Sequence, residues 1–136
     1  MEHRVPKRAI NPPGLPPPPK FSRGVEVSGA GRTVYIAGAA PLNPDGTVAG
    51  VGDMGAQAAA CYGKIAQIVE EAGGTMDDIV FLTMYVTDLS RLDEVQPVRD
   101  QHFKGPVYPA MSGFEVAALA GSDWLIEVDG VAYIEG

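Results

Sequence analysis

The sequence predicts an α+β domain, with two helices packed on one face of a mixed β-sheet. Three observations carry this. Residues 53–72 repeat their apolar side chains at steps of three and four, the period of a helix face. Runs of β-branched and aromatic residues stand before that stretch, directly after it and at the C-terminus. A shorter helix fits between the middle run and the last two, giving the order two or three strands, helix, strand, helix, two strands.

A length of 136 residues suits one domain with a modest core. An apolar share of 46% with 20% charged residues is that of a soluble globular protein. No apolar run approaches the roughly 20 residues of a bilayer helix, and the N-terminus lacks the apolar core of a signal peptide. The expected location is therefore cytoplasmic, with no membrane partner. A net charge of −7 repels phosphate backbones, which argues against nucleic acid and favours a neutral or cationic ligand, or one held by a local cluster. Cys61 is alone and His3 and His102 lie far apart in sequence, so no disulfide, metal or other cofactor is expected.

Residues 1–20 hold seven prolines among mixed charges and read as an extended, partly polyproline arm, with 21–136 as the folded domain. Residues 21–28 and 33–37, separated by Gly29-Ala30-Gly31-Arg32, read as a hairpin whose strands pair with each other. Asn43-Pro44-Asp45-Gly46 is a turn, because proline presets φ and glycine accepts a positive value; a short return strand follows near 47–49. Asp53 caps a helix running to Ala72, stopped by Gly73 and Gly74. Its buried stripe reads as Met54, Ala58, Cys61, Ile65, Ile68 and Ala72, which makes Cys61 a core residue rather than a nucleophile.

Thr75 with Asp77 and Asp78 is a capping pattern, and residues 79–87, apolar on both faces, belong in the middle of the sheet. Pro97 is tolerated in a first helical turn. The second helix therefore starts at Gln96 or Pro97 and runs to Phe103, after a turn at 90–93, with Gln96 and Arg99 on one face. Residues 112–119 and 124–134 are the last strands, joined by a turn at 120–123. Alternation along the last one sets Glu127 and Asp129 on the same face. Two readings stand for them: solvated carboxylates, or an enclosed pair whose burial raises one pKa and makes a proton donor or acceptor. The sheet face away from the helices stays apolar, and association into a closed ring of subunits would cover it.

The blocks "VYIAGAAPLNPDGTV", "AQAAACYGKIAQIVEEAGG", "DDIVFLTMYVTDLSRLDEV", "YPAMSGFEVAAL" and "IEVDGVAYIE" resemble, in this order, those of the Rid/YjgF family, over about residues 21–135. The resemblance implies a chorismate-mutase-like α+β fold and a homotrimer with a central β-barrel. It also implies clefts for a small-molecule ligand between adjacent subunits, and cofactor-free hydrolysis of reactive enamines and imines to 2-oxoacids and ammonia.

Carried over by residue, the resemblance puts Phe21 at the cleft mouth, Gly38 against the ligand, Gln96 as the amide of the second helix, and Glu127 as the acidic residue of the last strand. Several positions depart from the family pattern. Phe21 lacks a tyrosine's hydroxyl, Ala37 replaces the serine before Gly38, Gln96 is one methylene longer than asparagine, and Gly113 stands where a cysteine often follows. Met111, in "PAMS", occupies the position of the family's carboxylate-binding arginine. A thioether donates no hydrogen bond, whereas arginine grips a carboxylate through two charged ones.

Two compensations follow: Arg99 turns its guanidinium into the cleft instead of resting solvated on the surface, or the ligand is no simple α-carboxylate and Phe21, Tyr108, Met111 and Gly113 form a roomier apolar pocket. The expected reaction has Glu127 activate a water, directly or through Ser112, for addition to the imine carbon; Asp129 reads as structural. The function expected is hydrolysis of an enamine or imine other than simple 2-aminoacrylate. The alternative is a non-catalytic trimer that binds a small metabolite or a partner protein and regulates. A ribonuclease is disfavoured by the acidic charge.

Overall fold

The computed structural model describes residues 6–136. It contains six strands, β1 (Lys7–Ile10), β2 (Gly24–Val27), β3 (Gly31–Ala39), β4 (Ile79–Val86), β5 (Ala110–Glu115) and β6 (Ile126–Glu135), and two α-helices, α1 (Met54–Glu71) and α2 (Gln96–His102). The main sheet is mixed, in the order β3-β6-β4-β5, with β4 and β5 parallel and the other neighbours antiparallel. A parallel pair needs a crossover. Here it is the 3₁₀ segment Leu89–Glu94 followed by α2, with Pro97 in the helix's first turn.

The core lies between the helices and one sheet face. β6 alternates strictly, burying Ile126, Val128, Gly130, Ala132 and Ile134 while Glu127, Asp129, Val131 and Tyr133 look the other way. Ile36, Leu82, Met84 and Val86 join that buried face, and Met54, Ala58, Cys61, Tyr62, Ile65 and Val69 of α1 cover it. Full burial of such a side chain contributes about 1.5–3 kcal/mol, so this layer is the main stabilising term. The α1 start is as expected, with the Asp53 carboxylate accepting from the Ala56 N–H at 3.0 Å, and Gly73 after its end has φ of 91°. Thr75 and Asp78 form the reciprocal capping box of the 3₁₀ turn Met76–Asp78.

Five expectations need correction. The strands at 21–28 and 33–37 are not a hairpin: β2 pairs with β1, and β3 pairs with β6. The α1-covered sheet gives β3 an apolar partner over most of its length, while β2 has only the short ribbon, and Gly29 at φ of 82° turns the chain between them. The proline arm is partly a strand, since Lys7–Ile10 is proline-free and its prolines fall outside the pairing, as the missing N–H requires; residues 1–5 lie outside the described residues. The α1 stripe drifts to Val69, leaving Ile68 at 40% exposure, because a helix turns in 3.6 residues and not 3.5. The fifth strand is Ala110–Glu115 and ends before residue 119. The Asn43–Gly46 turn is present, but its return strand is reduced to the single bridge Leu42↔Val48.

The face away from the helices is open and carries Tyr35, Phe81 and Phe114, with Tyr35 at 81% exposure. No helix among the described residues is long and apolar enough to cross a membrane.

Candidate functional site

Two groups of the expected residues stand apart in the chain. The first is built on a bulge. Ile36 registers with Gly130 and Ala39 with Val128, so three steps along β3 match two along β6, and the extra residue falls at Ala37–Gly38. This brings Gly38 under Glu127: a Cβ on Gly38 would lie 2.1 Å from Glu127 Oε2. Only glycine leaves room for that carboxylate. Glu127 is half-buried and accepts no hydrogen bond from the described residues, which leaves its oxygens available to a water or ligand.

Beside it, Asp129 has a partner. Tyr85 Oη donates to Asp129 Oδ2 at 3.2 Å, and Tyr85 registers with Glu127 across β4 and β6. The Tyr85 hydroxyl is raised above its ordinary value by desolvation first, then by the negative charge of Asp129. Asp129 is thus occupied structurally, as expected, and Glu127 is the free carboxylate of the pair. Among the described residues no group of His, Cys, Asp or Glu is arranged to hold a metal ion.

The second group sits at the β5 edge. Ser22 bridges to Ala110, its N–H donating to Pro109 O at 3.0 Å and its hydroxyl to Tyr108 O at 2.5 Å. That bridge holds the backbone after Phe21 against the start of β5. α2 is tied to the same segment: Gln96 Nε2 donates to Asp100 Oδ1 at 3.0 Å, and Lys20 Nζ pairs with Asp100 Oδ2 at 3.1 Å. These ties hold residues 20–22, α2 and the start of β5 together, and within the sheet β4 separates Met111 on β5 from Glu127 on β6 and Gly38 on β3.

Alternation decides which way the β5 residues point. Met111 registers with buried Leu82 and packs against the core, and Gly113 registers with Met84 on that same face. Ser112 registers with Thr83, which registers with Asp129, so Ser112 shares the open face with the carboxylates. It does not reach Glu127, since β4 intervenes and two strand spacings are about 9.5 Å. The expected relay through Ser112 is thus absent within one chain.

Arg99 is neither solvated nor turned into an open cleft. It is 7% exposed, its Nη2 donates to Lys20 O at 3.3 Å, and its guanidinium lies 6.0 Å from the Phe103 ring centroid. A planar, weakly hydrated guanidinium packs on aromatic faces, which is why it tolerates this burial. Its Nε and the neighbouring Tyr62 hydroxyl are buried without a hydrogen-bond partner. Cys61 is buried, with Sγ 3.6 Å from Ile126 O, and burial pushes its thiol up to about 12, consistent with a core residue.

Arg23 escaped the sequence reading. Arg23 stands over the Phe21 ring at 5.5 Å, and its Nη2 donates to Pro16 O at 2.8 Å. The available signal was the i, i+2 spacing from Phe21, which sets two side chains on one side of an extended backbone.

The model of the family described as Endoribonuclease L-PSP matches residues 15–134. The 3-aminoacrylate deaminase RutC of Acinetobacter baylyi is 32% identical over 130 residues, covering 96% of this chain and 100% of that protein. A RutC family protein of Pyrococcus abyssi is 32% identical over 115 residues, covering 85% of this chain and 87% of that one. The fold matches the crystal structure of a conserved Rid family protein of Yersinia pestis with a TM-score of 0.84 at 32% identity, covering 93% of this chain and 97% of that one.

Proposed function

The chain belongs to the endoribonuclease L-PSP family, the Rid/YjgF family of the sequence resemblance, and on that premise we propose that it hydrolyses a reactive enamine or imine to a carbonyl compound and ammonia. The observation that carries this reading is the unpartnered Glu127 carboxylate seated on Gly38. The deaminase named among its relatives acts on an aminoacrylate. The substrate here is another member of that chemical class, because Met111 donates no hydrogen bond to an α-carboxylate and packs on the core.

The proposed assembly is a homotrimer with a central β-barrel and a ligand cleft between adjacent subunits. The separation of Gly38 and Glu127 from Phe21, Gln96, Tyr108 and Met111 within one chain supports it, since a neighbouring copy would bring one group against the other. The apolar open face with Tyr35 and Phe114 supports it as well.

In the reaction, Glu127 takes a proton from water as the oxygen adds to the carbon of the protonated imine, giving a neutral carbinolamine. It then returns that proton to nitrogen and takes the hydroxyl proton as the C–N bond breaks, so that the carbonyl forms and ammonia leaves. No cofactor enters, and an enamine first takes a proton on carbon to become the iminium that water attacks. The ribonuclease in the family description gains no support from a chain of net charge −7 whose open face carries Glu127 and Asp129.

The test is ammonia release from enzymatically generated imines, with and without a carboxylate. Acceleration that disappears in Glu127→Ala is the expected result. Undiminished activity in that variant, or no acceleration for any imine, would overturn the reading. Stabilisation by metabolites without turnover would favour the non-catalytic binder.

A further inference from the structure

We propose that Arg23, with Arg99 behind it, gives the Phe21 edge a positive rim that holds a carboxylate remote from the reacting carbon of the substrate. This rests on Phe21 belonging to the cleft, and it moves the anion-holding role from position 111 to the segment just before β2.

Two separate contacts orient Arg23. Its guanidinium lies 5.5 Å over the Phe21 ring and its Nη2 donates to Pro16 O at 2.8 Å, while its backbone N–H donates to Asn11 Oδ1 at 2.8 Å. A guanidinium carries five N–H donors. Only one of Arg23's is engaged by an acceptor among the described residues, so most of a fixed, planar fork stays open to a carboxylate.

The surrounding charge agrees. Lys20 is paired with Asp100 at 3.1 Å and the same carboxylate also acts on Arg99, one negative charge against two positive ones, while Arg23 has no carboxylate partner among the described residues. Arg99 is 7% exposed, donates to Lys20 O at 3.3 Å and has an unpartnered Nε, so its charge lies just beneath the Lys20–Phe21 backbone. Within a chain of net charge −7 this edge is locally positive. An anion held here is also kept away from Glu127, whose negative charge must take a proton from water.

The probes are benzoate and benzamide, alike in shape and different in charge, titrated into the full-length protein and followed by calorimetry and thermal shift. Benzoate is expected to bind at least tenfold tighter than benzamide. Arg23→Gln is expected to remove that difference, with affinity for benzamide unchanged, and Arg23→Lys to keep part of it. Equal affinity of wild type for the two probes, or no binding of benzoate, overturns the proposal. So does an equal loss of both in Arg23→Gln, which would make Arg23 only a tether for the arm. A charge preference that persists while no imine is turned over defeats the deaminase reading and leaves this one standing.

Discussion

Glu127 lies directly on Gly38, so close that any side chain at position 38 would meet its carboxylate: a Cβ there would stand 2.1 Å from Oε2 and 3.0 Å from Cδ. The clash is with the end of a flexible side chain, so Gly38→Ala is expected to fold with nearly wild-type stability while turning the carboxylate aside. A displacement of about 1 Å at a reacting group costs on the order of 100-fold in rate. The measurement is turnover alongside thermal unfolding. A variant with unchanged turnover would show that the position of Glu127 does not matter to the chemistry, and one that fails to fold would show that the bulge itself was broken.

Stability at high pH is set in part by two adjacent buried groups. The Cys61 thiol is raised from 9.0 and the Tyr62 hydroxyl from 10.0, each to about 12, by burial above all. Below pH 9 both are protonated folded and unfolded. As pH rises past those ordinary values the unfolded chain releases protons that the folded chain keeps, so stability falls until the folded groups ionise. The expected loss runs between pH 9 and 12, at about 1.4 kcal/mol per pH unit for each group. Urea unfolding in that window should show the decline, and Tyr62→Phe should flatten it above pH 10. At neutral pH that variant should be close to neutral: the buried hydroxyl makes no hydrogen bond of good geometry, but it faces the Arg99 guanidinium, whose interaction is lost with it.

The drift of the α1 stripe gives a paired comparison. Ile65 is fully buried and Ile68 is 40% exposed, three residues on. Ile65→Ala is expected to cost about 2–5 kcal/mol, through lost burial and the cavity left behind, and Ile68→Ala below about 1 kcal/mol. Denaturant midpoints of the two variants check this. Similar losses would mean that Ile68 is covered in solution by something beyond the single chain.

What the sequence reveals here is local. The Asp53 cap, the glycine stop after α1, the place of Pro97 and the alternation that aligns Glu127 with Asp129 all follow from short-range rules, and they hold. The pairing of β3 with β6 joins residues about a hundred positions apart, and nothing within residues 21–39 distinguishes it from a hairpin. Individual site residues were legible one at a time, but their grouping was not. Ser112 and Glu127 share a face yet have β4 between them, and Arg99 is withdrawn by contacts to Lys20 and Phe103 that no helical spacing announces. Gln57 was likewise missed, because an amide on the buried side of an apolar helix carries no periodic signal.

Gln57 is fully buried, and its amide bonds three backbone groups on two segments. Its Nε2 donates to Asp123 O at 2.9 Å and to Gly50 O at 3.3 Å, and its Oε1 accepts from the Leu125 N–H at 2.7 Å. The last of these fixes the backbone two residues before Glu127, while the first bonds the carbonyl of Asp123, which stands at φ of 65°, a left-handed conformation uncommon outside glycine and best tolerated by Asp and Asn. Gln57→Leu fills the same space but leaves the Leu125 donor and the Asp123 acceptor without partners, each worth about 1–3 kcal/mol when buried. The expected result is a loss of about 2–4 kcal/mol in unfolding free energy. Because the start of β6 then loosens beneath Glu127, turnover at a temperature where the variant is still folded should fall further than the folded fraction accounts for. Gln57→Glu keeps the acceptor for Leu125 and loses the donors, so it should retain the position of β6 better than leucine does if Leu125 is the contact that matters. Equal turnover per folded molecule in wild type and Gln57→Leu would show that this amide stabilises the loops and has no part in positioning Glu127.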